Sequence, residues 1–256
     1  MYPISNHFIV MNDKNVEIKR YDSRAAKELQ KDAINYFNKI ISYMNTPYEI
    51  YNKFLLDIPN DSKILEIGAG MGENTENLLE QSSNIFATDI SSKSVELMNK
   101  RFIKFKRFNG LVADMEKLPF EDGSFDFVCC AGSLSYGDNK IVMNEIYRVL
   151  NNQGSFIAVD SLNNNIIYKF NRFIHYLRGN RSKNTLKRMP DLNLIRDYQA
   201  KFGSIKVKFY GSLTWLFPIL RLFMKDSKLK NFSDKFDKYF NIKASAFKFV
   251  MKVTKL

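Results

Sequence analysis

The stretch ILEIGAGMGENT, residues 64–75, decides the fold of this 256-residue chain. An apolar run over about 63–69 ends in glycines, and residues 73–80 then follow a helical pattern. Glycines in such a turn let the backbone bend sharply and approach a ligand without a Cβ in the way. The stretch therefore predicts a strand, a ligand-binding turn and a helix, the first unit of a doubly wound sheet.

Strand and helix patterns alternate along the rest of the chain and predict an α/β fold with helices on both faces of the sheet. We expect seven strands, at about 63–69, 85–90, 109–115, 125–131, 154–160, 204–210 and 244–253. Further helices are expected at about 23–57, 91–102 with Ser91 or Ser92 as N-cap, and 139–150. The fold class is thus a Rossmann-like seven-stranded sheet.

Three parts of the chain are expected around that sheet. They are an N-terminal helical lid at 1–62, a ligand-binding core at 63–161, and a remainder at 162–256. The remainder completes the sheet at about 204–211 and 244–253, and it carries helical insertions at about 162–203 and 212–243. Insertions at the carboxyl ends of such strands usually cover a cofactor and shape a substrate site.

The composition, 45% hydrophobic and 26% charged, is that of a folded globular protein with one large core. Cys129 and Cys130 are adjacent in an apolar run and are expected to be buried, reduced side chains. The first twenty residues show no secretory signal pattern. The longest apolar candidate, 213–224, is interrupted by Pro218 and Arg221, so no membrane span is predicted.

Charge is distributed unevenly along the chain. Residues 1–150 hold 18 Lys and Arg against 21 Asp and Glu, whereas residues 151–256 hold 21 against 6. The whole basic excess of +12 therefore lies in the C-terminal part, which we expect to meet an anionic partner.

The glycine turn differs from a nicotinamide-binding fingerprint. The G-x-G-x-x-G pattern needs a third glycine where this chain has Glu73, and Glu66 would stand close to a pyrophosphate. Asp89 ends the second strand 19 positions after Gly70, near the spacing at which an acid binds a ribose hydroxyl; helix capping is the alternative role. Asp114 is either an acceptor for an exocyclic amine or a solvated acid at a strand end.

Four motifs in order resemble class I S-adenosylmethionine (SAM) dependent methyltransferases, in particular the ubiquinone and menaquinone biosynthesis type. They are LEIGAGMGENT (65–75), ATDIS (87–91), VADMEKLPFEDGSFDFV (112–128) and MNEIYRVLNNQGSFIAVD (143–160). The resemblance covers about residues 60–161 and also extends to methylases that modify sugars of surface glycans. It implies SAM as cofactor, S-adenosylhomocysteine as product, and no metal.

The resemblance also implies the residues that hold SAM. Glu66, Gly68, Ala69 and Gly70 would face the methionine part, Asp89 and Ile90 the ribose, Asp114 and Met115 the adenine, Ala131 and Ser133 the methyl, and Tyr21 and Arg24 would belong to a lid over the cofactor. A carboxylate at the turn suits the ammonium and sulfonium of SAM.

Methyl transfer needs mainly alignment, because the sulfonium already activates the methyl group. A hydroxyl acceptor would benefit from a general base, for which the candidates are His175, Tyr136 and Asp160. For His175, which lies in an aromatic helical stretch, a packed or surface position is the alternative.

The acceptor is less constrained. Residues 131–136 lack the Asn- or Asp-Pro-Pro-aromatic motif of nucleic-acid amine methylases, which disfavours base methylation. Bases beside large apolar residues in 163–188 and 213–225 fit an anionic membrane or a lipid-linked substrate; RNA binding and plain packing are alternatives.

These features favour O-methylation of a small molecule, a sugar or a lipid-linked glycan. The enzyme would be cytoplasmic, with peripheral association at the inner face of the membrane. An RNA methyltransferase and a non-catalytic SAM-binding regulator are the competing hypotheses.

Overall fold

The protein, seen in a computed structural model, is described over residues 5–29, 45–79, 84–178 and 182–256. The strands are β1 Lys63–Ile67, β2 Asn84–Asp89, β3 Phe108–Val112, β4 Phe125–Ala131, β5 Leu150–Ser161, β6 Gly203–Tyr210 and β7 Lys248–Lys255. The helices are α1 Ser5–Leu29, α2 Thr46–Leu56, α3 Thr75–Leu79, α4 Ser92–Arg101, α5 Asn139–Val149, α6 Ile166–Leu177, α7 Lys183–Lys187, α8 Leu192–Phe202, α9 Phe217–Leu220 and α10 Asp226–Phe240.

All seven strands join one sheet in the order β3-β2-β1-β4-β5-β7-β6. Strands β1 to β5 pair in parallel, whereas β7 runs antiparallel between β5 and β6. The order reverses between β1 and β4, and ligands of such sheets bind beyond the strand carboxyl ends at the reversal. The predicted α/β, Rossmann-like seven-stranded fold is confirmed, and its topology places a binding cleft beyond β1 and β4.

Helices cover both faces of the sheet, because the two adjacent cysteines of β4 pack against helices on opposite faces. Cys130 packs in a cluster with Val142 and Ile146 of α5, whereas Cys129 packs in a second cluster with Tyr51 of α2. Both cysteines are free and fully buried. Strand alternation sends neighbouring side chains to opposite faces, so each cysteine fills a different half of the core.

The N-terminal helices differ from the predicted 23–57 segment. Helix α1 already begins at Ser5 and α2 covers Thr46–Leu56, while residues 30–44 of that segment lie outside the described residues. Asp22 anchors α1 to α4, because it accepts hydrogen bonds from Ser91 Oγ at 2.6 Å and Lys93 N at 3.2 Å. Ser91 is the N-cap of α4, as predicted, accepting from Ser94 N at 3.0 Å.

Three predicted strand boundaries were wrong by three or four residues, and one of them is the start of the fifth strand, at Leu150 rather than 154. The third strand ends at Val112 rather than 115, because Asp114 Oδ1 accepts from Glu116 N at 2.9 Å and turns the chain. The seventh begins at Lys248 rather than 244, since Lys243–Ser245 form a 3₁₀ turn. The early end of the third strand carries Asp114 off the strand and to the edge of the cleft.

The insertions follow β5 and β6, as expected. The first contains α6, α7 and α8, with residues 179–181 outside the described part, and the second contains α9 and α10. They meet where Tyr168 Oη of α6 donates to Gly211 O at 3.1 Å, and Asp237 of α10 accepts from Gly211 N at 2.6 Å. No helix in the described ranges has the length and apolar character to cross a membrane.

Candidate functional site

A cavity of about 460 Å³ lies beyond the carboxyl ends of β1, β2 and β4. Its volume is within the range of small-molecule sites. Of the cofactor residues predicted from sequence, its lining contains Tyr21, Arg24, Gly68, Ala69, Gly70, Asp89, Ile90, Asp114, Met115, Ala131 and Ser133. We call Gly68–Gly70, Asp89, Asp114 and Met115 the cofactor wall.

The glycine turn adopts a backbone that only glycine accepts without strain. Gly68 and Gly70 have φ angles of 61° and 60°, the left-handed region that side chains with a Cβ rarely adopt. A Cβ on Gly68 would also lie 2.3 Å from Ser133 Oγ. The turn is held to the sheet by the bond from Ala69 N to Thr88 O at 2.9 Å, so its backbone faces the cavity directly.

Asp89 ties the turn to the end of β2. Its Oδ2 accepts from Gly70 N and its Oδ1 from Ser91 N, both at 2.9 Å. Burial raises the pKa of Asp89, and the two backbone donors partly oppose that rise. Each carboxylate oxygen keeps a lone pair beyond the one used, so Asp89 can accept from two ligand hydroxyls while it holds the turn.

Asp114 reaches the cavity after β3, where α1 supplies it with a cation. Lys14 Nζ lies 2.6 Å from Asp114 Oδ2 and 2.6 Å from Glu116 Oε2. Burial alone would lower the pKa of Lys14, but the bonds to Asp114 and Glu116 outweigh it and raise that pKa. Met115 beside this pair offers an apolar surface at the cavity.

Helix α1 closes one side of the cavity with a regular row of side chains. The row is Lys14, Glu17, Tyr21 and Arg24. Tyr21 Oη donates to Tyr136 Oη at 2.7 Å, and the two rings meet edge to face with centroids 5.6 Å apart. Burial raises the pKa of Tyr21 well above its ordinary value, so its hydroxyl stays protonated and can donate.

The residues predicted for the lid, Tyr21 and Arg24, make up only half of this row. The other half was missed because the predicted helical segment began at residue 23. The spacing of positions 14, 17, 21 and 24, with steps of three and four, is the signal of one helical face. It is visible in the sequence and would have revealed Lys14 and Glu17. Arg24 pairs with Glu73, with 3.8 Å between Nη2 and Oε1.

A further set of lining residues comes from the first insertion. Ser182, Asn184, Thr185 and Arg188, on or beside α7, line the cavity. Thr185 Oγ1 donates to Glu17 Oε1 at 3.2 Å, across 168 positions of sequence. We call Glu17, Ser182, Asn184, Thr185 and Arg188 the acceptor wall. No local motif marks α7, so sequence reasoning missed these residues.

Glu66 is placed behind the turn and not in the cavity lining. It is 1% exposed, and Thr75 Oγ1 donates to its Oε2 at 2.5 Å. Burial, the largest influence, raises the pKa of Glu66 to about 8. The side chain thus braces the start of α3 against β1, where sequence reasoning had it facing the methionine part of a cofactor.

The three candidate bases fall in different places. Tyr136 lines the cavity. Asp160 is buried and accepts from Leu134 N at 3.0 Å and Ser161 N at 2.6 Å, so it holds the loop after β4 instead. His175 lies on α6. Helix α7 packs against α6, and residues of α7, not His175, line the cavity. Neither Asp160 nor His175 belongs to the lining.

The donor set fits SAM. Four lining carboxyl groups, those of Glu17, Glu73, Asp89 and Asp114, surround a space suited to a ligand with positive charges. The glycine turn leaves room for close backbone approach, and Asp89 keeps acceptor capacity for a diol. Among the described residues, no group of three or more His, Cys, Asp or Glu could hold a metal ion.

The sheet order, the glycine turn and the acids after β2 and β3 are features of a class I SAM-dependent methyltransferase domain, and the cavity lining fits SAM. Residues 65–158 match a family model described as a methyltransferase domain. Comparisons with individual proteins agree with this class.

Two types of curated relatives carry C-methyltransferase names. The ubiquinone/menaquinone biosynthesis C-methyltransferase UbiE of Rickettsia typhi is 31% identical over 120 residues, 43% of this chain and 48% of that protein. Its namesake in Rickettsia bellii is 29% identical over 174 residues, 59% of this chain and 67% of that protein. The sterol 4-C-methyltransferase strm-1 of Caenorhabditis elegans is 31% identical, covering 46% and 36%. The chain thus spans about half the length of the first relative.

Solved structures share the fold. Phosphoethanolamine N-methyltransferase 2 of Haemonchus contortus, in complex with SAM, has a TM-score of 0.57 at 18% identity, covering 83% of this chain and 53% of that one. The YcgJ protein of Bacillus subtilis has a TM-score of 0.55 at 19% identity, covering 82% and 98%. At these identities the likeness concerns the fold alone.

Proposed function

We propose that the chain transfers the methyl group of SAM to a hydroxyl oxygen of a small polar acceptor, such as a sugar or lipid-linked glycan handled at the membrane surface. The cofactor wall would hold SAM, with Asp89 and Ile90 at the ribose and Asp114 and Met115 at the adenine. Tyr21 and Arg24 would close over it from α1. When bound there, SAM supplies an electrophilic methyl carbon.

The observation that carries the acceptor proposal is the composition of the acceptor wall. Ser182, Asn184, Thr185 and Arg188, which carry hydroxyl, amide and guanidinium groups, line the same cavity as the cofactor wall. Such groups recognise hydroxyl-rich ligands through hydrogen bonds, whereas an apolar ring would leave them unpaired. Polar lining therefore favours a sugar-like acceptor over a quinone ring.

Glu17 is suited to accept the acceptor proton. It is 7% exposed, lines the cavity, and is positioned by Thr185 from one side and by Arg20 Nη1 at 3.4 Å from the other. The acceptor oxygen would form its bond to the methyl carbon as the carbon–sulfur bond breaks, and its proton would pass to the Glu17 carboxylate. A positioned base of this kind contributes roughly a hundredfold to ten-thousandfold to a rate.

C-methylation of a phenolic ring is the second candidate, and the names of the curated relatives favour it. Tyr21, Tyr48 and Tyr136 give the cavity an aromatic part on which a ring could pack. This reaction also needs a base, so Glu17 has the same role in both candidates. The position of the transferred methyl distinguishes them.

The test is transfer of labelled methyl from SAM to a panel of soluble glycosides, isoprenoid-linked sugars and hydroquinones. Label on a sugar oxygen supports the proposal, and label on a ring carbon replaces it with the second candidate. We expect Glu17→Gln to lower kcat by on the order of a hundredfold, with a much smaller effect on SAM affinity.

Two variants make that result specific. Thr185→Val keeps the carboxylate and removes a hydrogen bond that positions it, so kcat should fall, but by less than in Glu17→Gln. Glu28→Gln makes the same chemical change elsewhere on α1, outside the cavity lining, and should leave kcat as it is. A Glu17→Gln enzyme with the wild-type kcat would show that the proton leaves by another route.

A further inference from the structure

Helix α6 presents an apolar face to the outside of the molecule. Ile166, Phe170, Phe173 and Leu177 are 78%, 64%, 45% and 66% exposed. Their spacing of four, three and four places them in one row along the helix. The helix is fixed by its other side, where Tyr168 and Arg172 are buried. The row is therefore an ordered surface with four large apolar side chains in solvent.

Basic side chains flank this row without acidic ones. Residues 161–190 contain seven Lys and Arg and no Asp or Glu. Lys169 and Arg178 on and after α6, and Lys183 and Lys187 of α7, are exposed. Two copies of such a face would repel each other, whereas a surface with negative headgroups above an apolar layer complements both its charges and its apolar row.

The face is joined to the cavity through α7. Helix α7 packs against α6 on one side and against the Leu134–Tyr136 turn on the other. Thr185 of α7 also bonds Glu17 inside the cavity. A surface held against α6 would thus be separated from the cavity by α7, which belongs to the acceptor wall.

From this arrangement we infer that the Ile166-Phe170-Phe173-Leu177 row of α6, with Lys169 and Arg178, binds an anionic lipid membrane and presents the acceptor wall to membrane-held substrates. The role of membrane binding in substrate access rests on the proposed function, but the binding itself can be measured without any acceptor.

The experiment is co-sedimentation of the full chain with vesicles of phosphatidylcholine and phosphatidylglycerol in equal parts, against phosphatidylcholine alone. We expect binding to the mixed vesicles and much weaker binding to the neutral ones. Phe170→Ser with Phe173→Ser should reduce the partition coefficient by roughly tenfold or more. Lys169→Gln and Arg178→Gln should each reduce it by about fivefold.

Phe170→Ser alone should already weaken binding, and Ile103→Ser is its control, because Ile103 is 80% exposed in the turn before β3 and its replacement also removes an exposed apolar side chain. It should bind vesicles like the wild type. Equal binding by the double phenylalanine variant overturns the inference, as does a wild type that binds single-stranded RNA but not vesicles. The inference is also overturned if the wild type forms a dimer and does not bind vesicles, and the double phenylalanine variant loses that dimer.

SAM calorimetry on the same samples separates this inference from the proposed function. Intact SAM binding with no vesicle binding overturns the membrane inference alone. Vesicle binding with no SAM binding supports the α6 face and overturns the proposed function.

Discussion

The cofactor wall and the acceptor wall line one cavity, but they are built in different ways. The cofactor wall consists of turns that follow three adjacent parallel strands, within about fifty positions of sequence. The acceptor wall joins α1 to α7, whose Glu17–Thr185 bond spans 168 positions. In the proposed function, cofactor binding would depend mainly on the sheet, and acceptor binding on two helices added to it. A change in one wall should leave the function of the other intact.

The largest effect that tests this separation is expected from Asp89→Ala. The change removes the ribose acceptor and leaves Gly70 N and Ser91 N without their partner. Hydrogen bonds to a charged group contribute about 1.5–3 kcal/mol each, so SAM affinity should fall on the order of a hundredfold. Isothermal titration calorimetry with SAM measures it.

Asp89→Asn keeps the shape of the side chain and one acceptor oxygen, so one of the two backbone N–H groups keeps its partner and SAM affinity should fall by only about tenfold. Thr185→Val, on the acceptor wall, should bind SAM like the wild type. Unchanged SAM affinity in Asp89→Ala would place the cofactor elsewhere, and weakened SAM binding in Thr185→Val would mean that the walls are coupled.

The two walls also differ in how far the sequence predicts them. The glycine turn, Asp89 and Asp114 could be predicted because strand periodicity and the order of parallel strands bring their ends together. For Glu66 the sequence leaves the direction of the side chain open, because a strand residue beside a turn can face either side of the sheet. Here Thr75, nine positions later, holds it in the core. The α7 residues could not be predicted, since their place depends on tertiary contacts with α1.

An effect on stability rather than on SAM binding is expected from Glu66→Gln, behind the cofactor wall. Burial raises the pKa of Glu66 from 4.5 to about 8. Between these values the unfolded chain releases the proton and the folded chain keeps it, so the wild type loses stability as pH rises. The variant has no proton to lose and should be more stable than the wild type at pH 8, on the order of 4 kcal/mol.

Urea unfolding at pH 4.5 and at pH 8 measures this difference, which should nearly vanish at the lower pH. Glu121→Gln, at an exposed position in the loop before β4, is the control and should change the free energy of unfolding at neither pH. If Glu66→Gln and wild type differ equally at both values, Glu66 is ionised in the folded protein and the burial argument is wrong.

The smallest effect is expected where the two walls meet, at Lys14. Its ammonium pairs with Asp114 and Glu116 and adds a positive charge to a cavity suited to a cationic ligand. Lys14→Gln frees Asp114 to accept from an adenine amine and removes that repulsion. SAM affinity should therefore rise about fivefold, since a partly exposed ion pair contributes roughly 1 kcal/mol. Raised ionic strength should diminish the gain.

Lys19→Gln changes the same charge at an exposed position of α1 and should leave the SAM affinity measured by calorimetry unaltered. A fall in affinity with Lys14→Gln would mean that Lys14 secures α1 over the cofactor and that closure outweighs its charge.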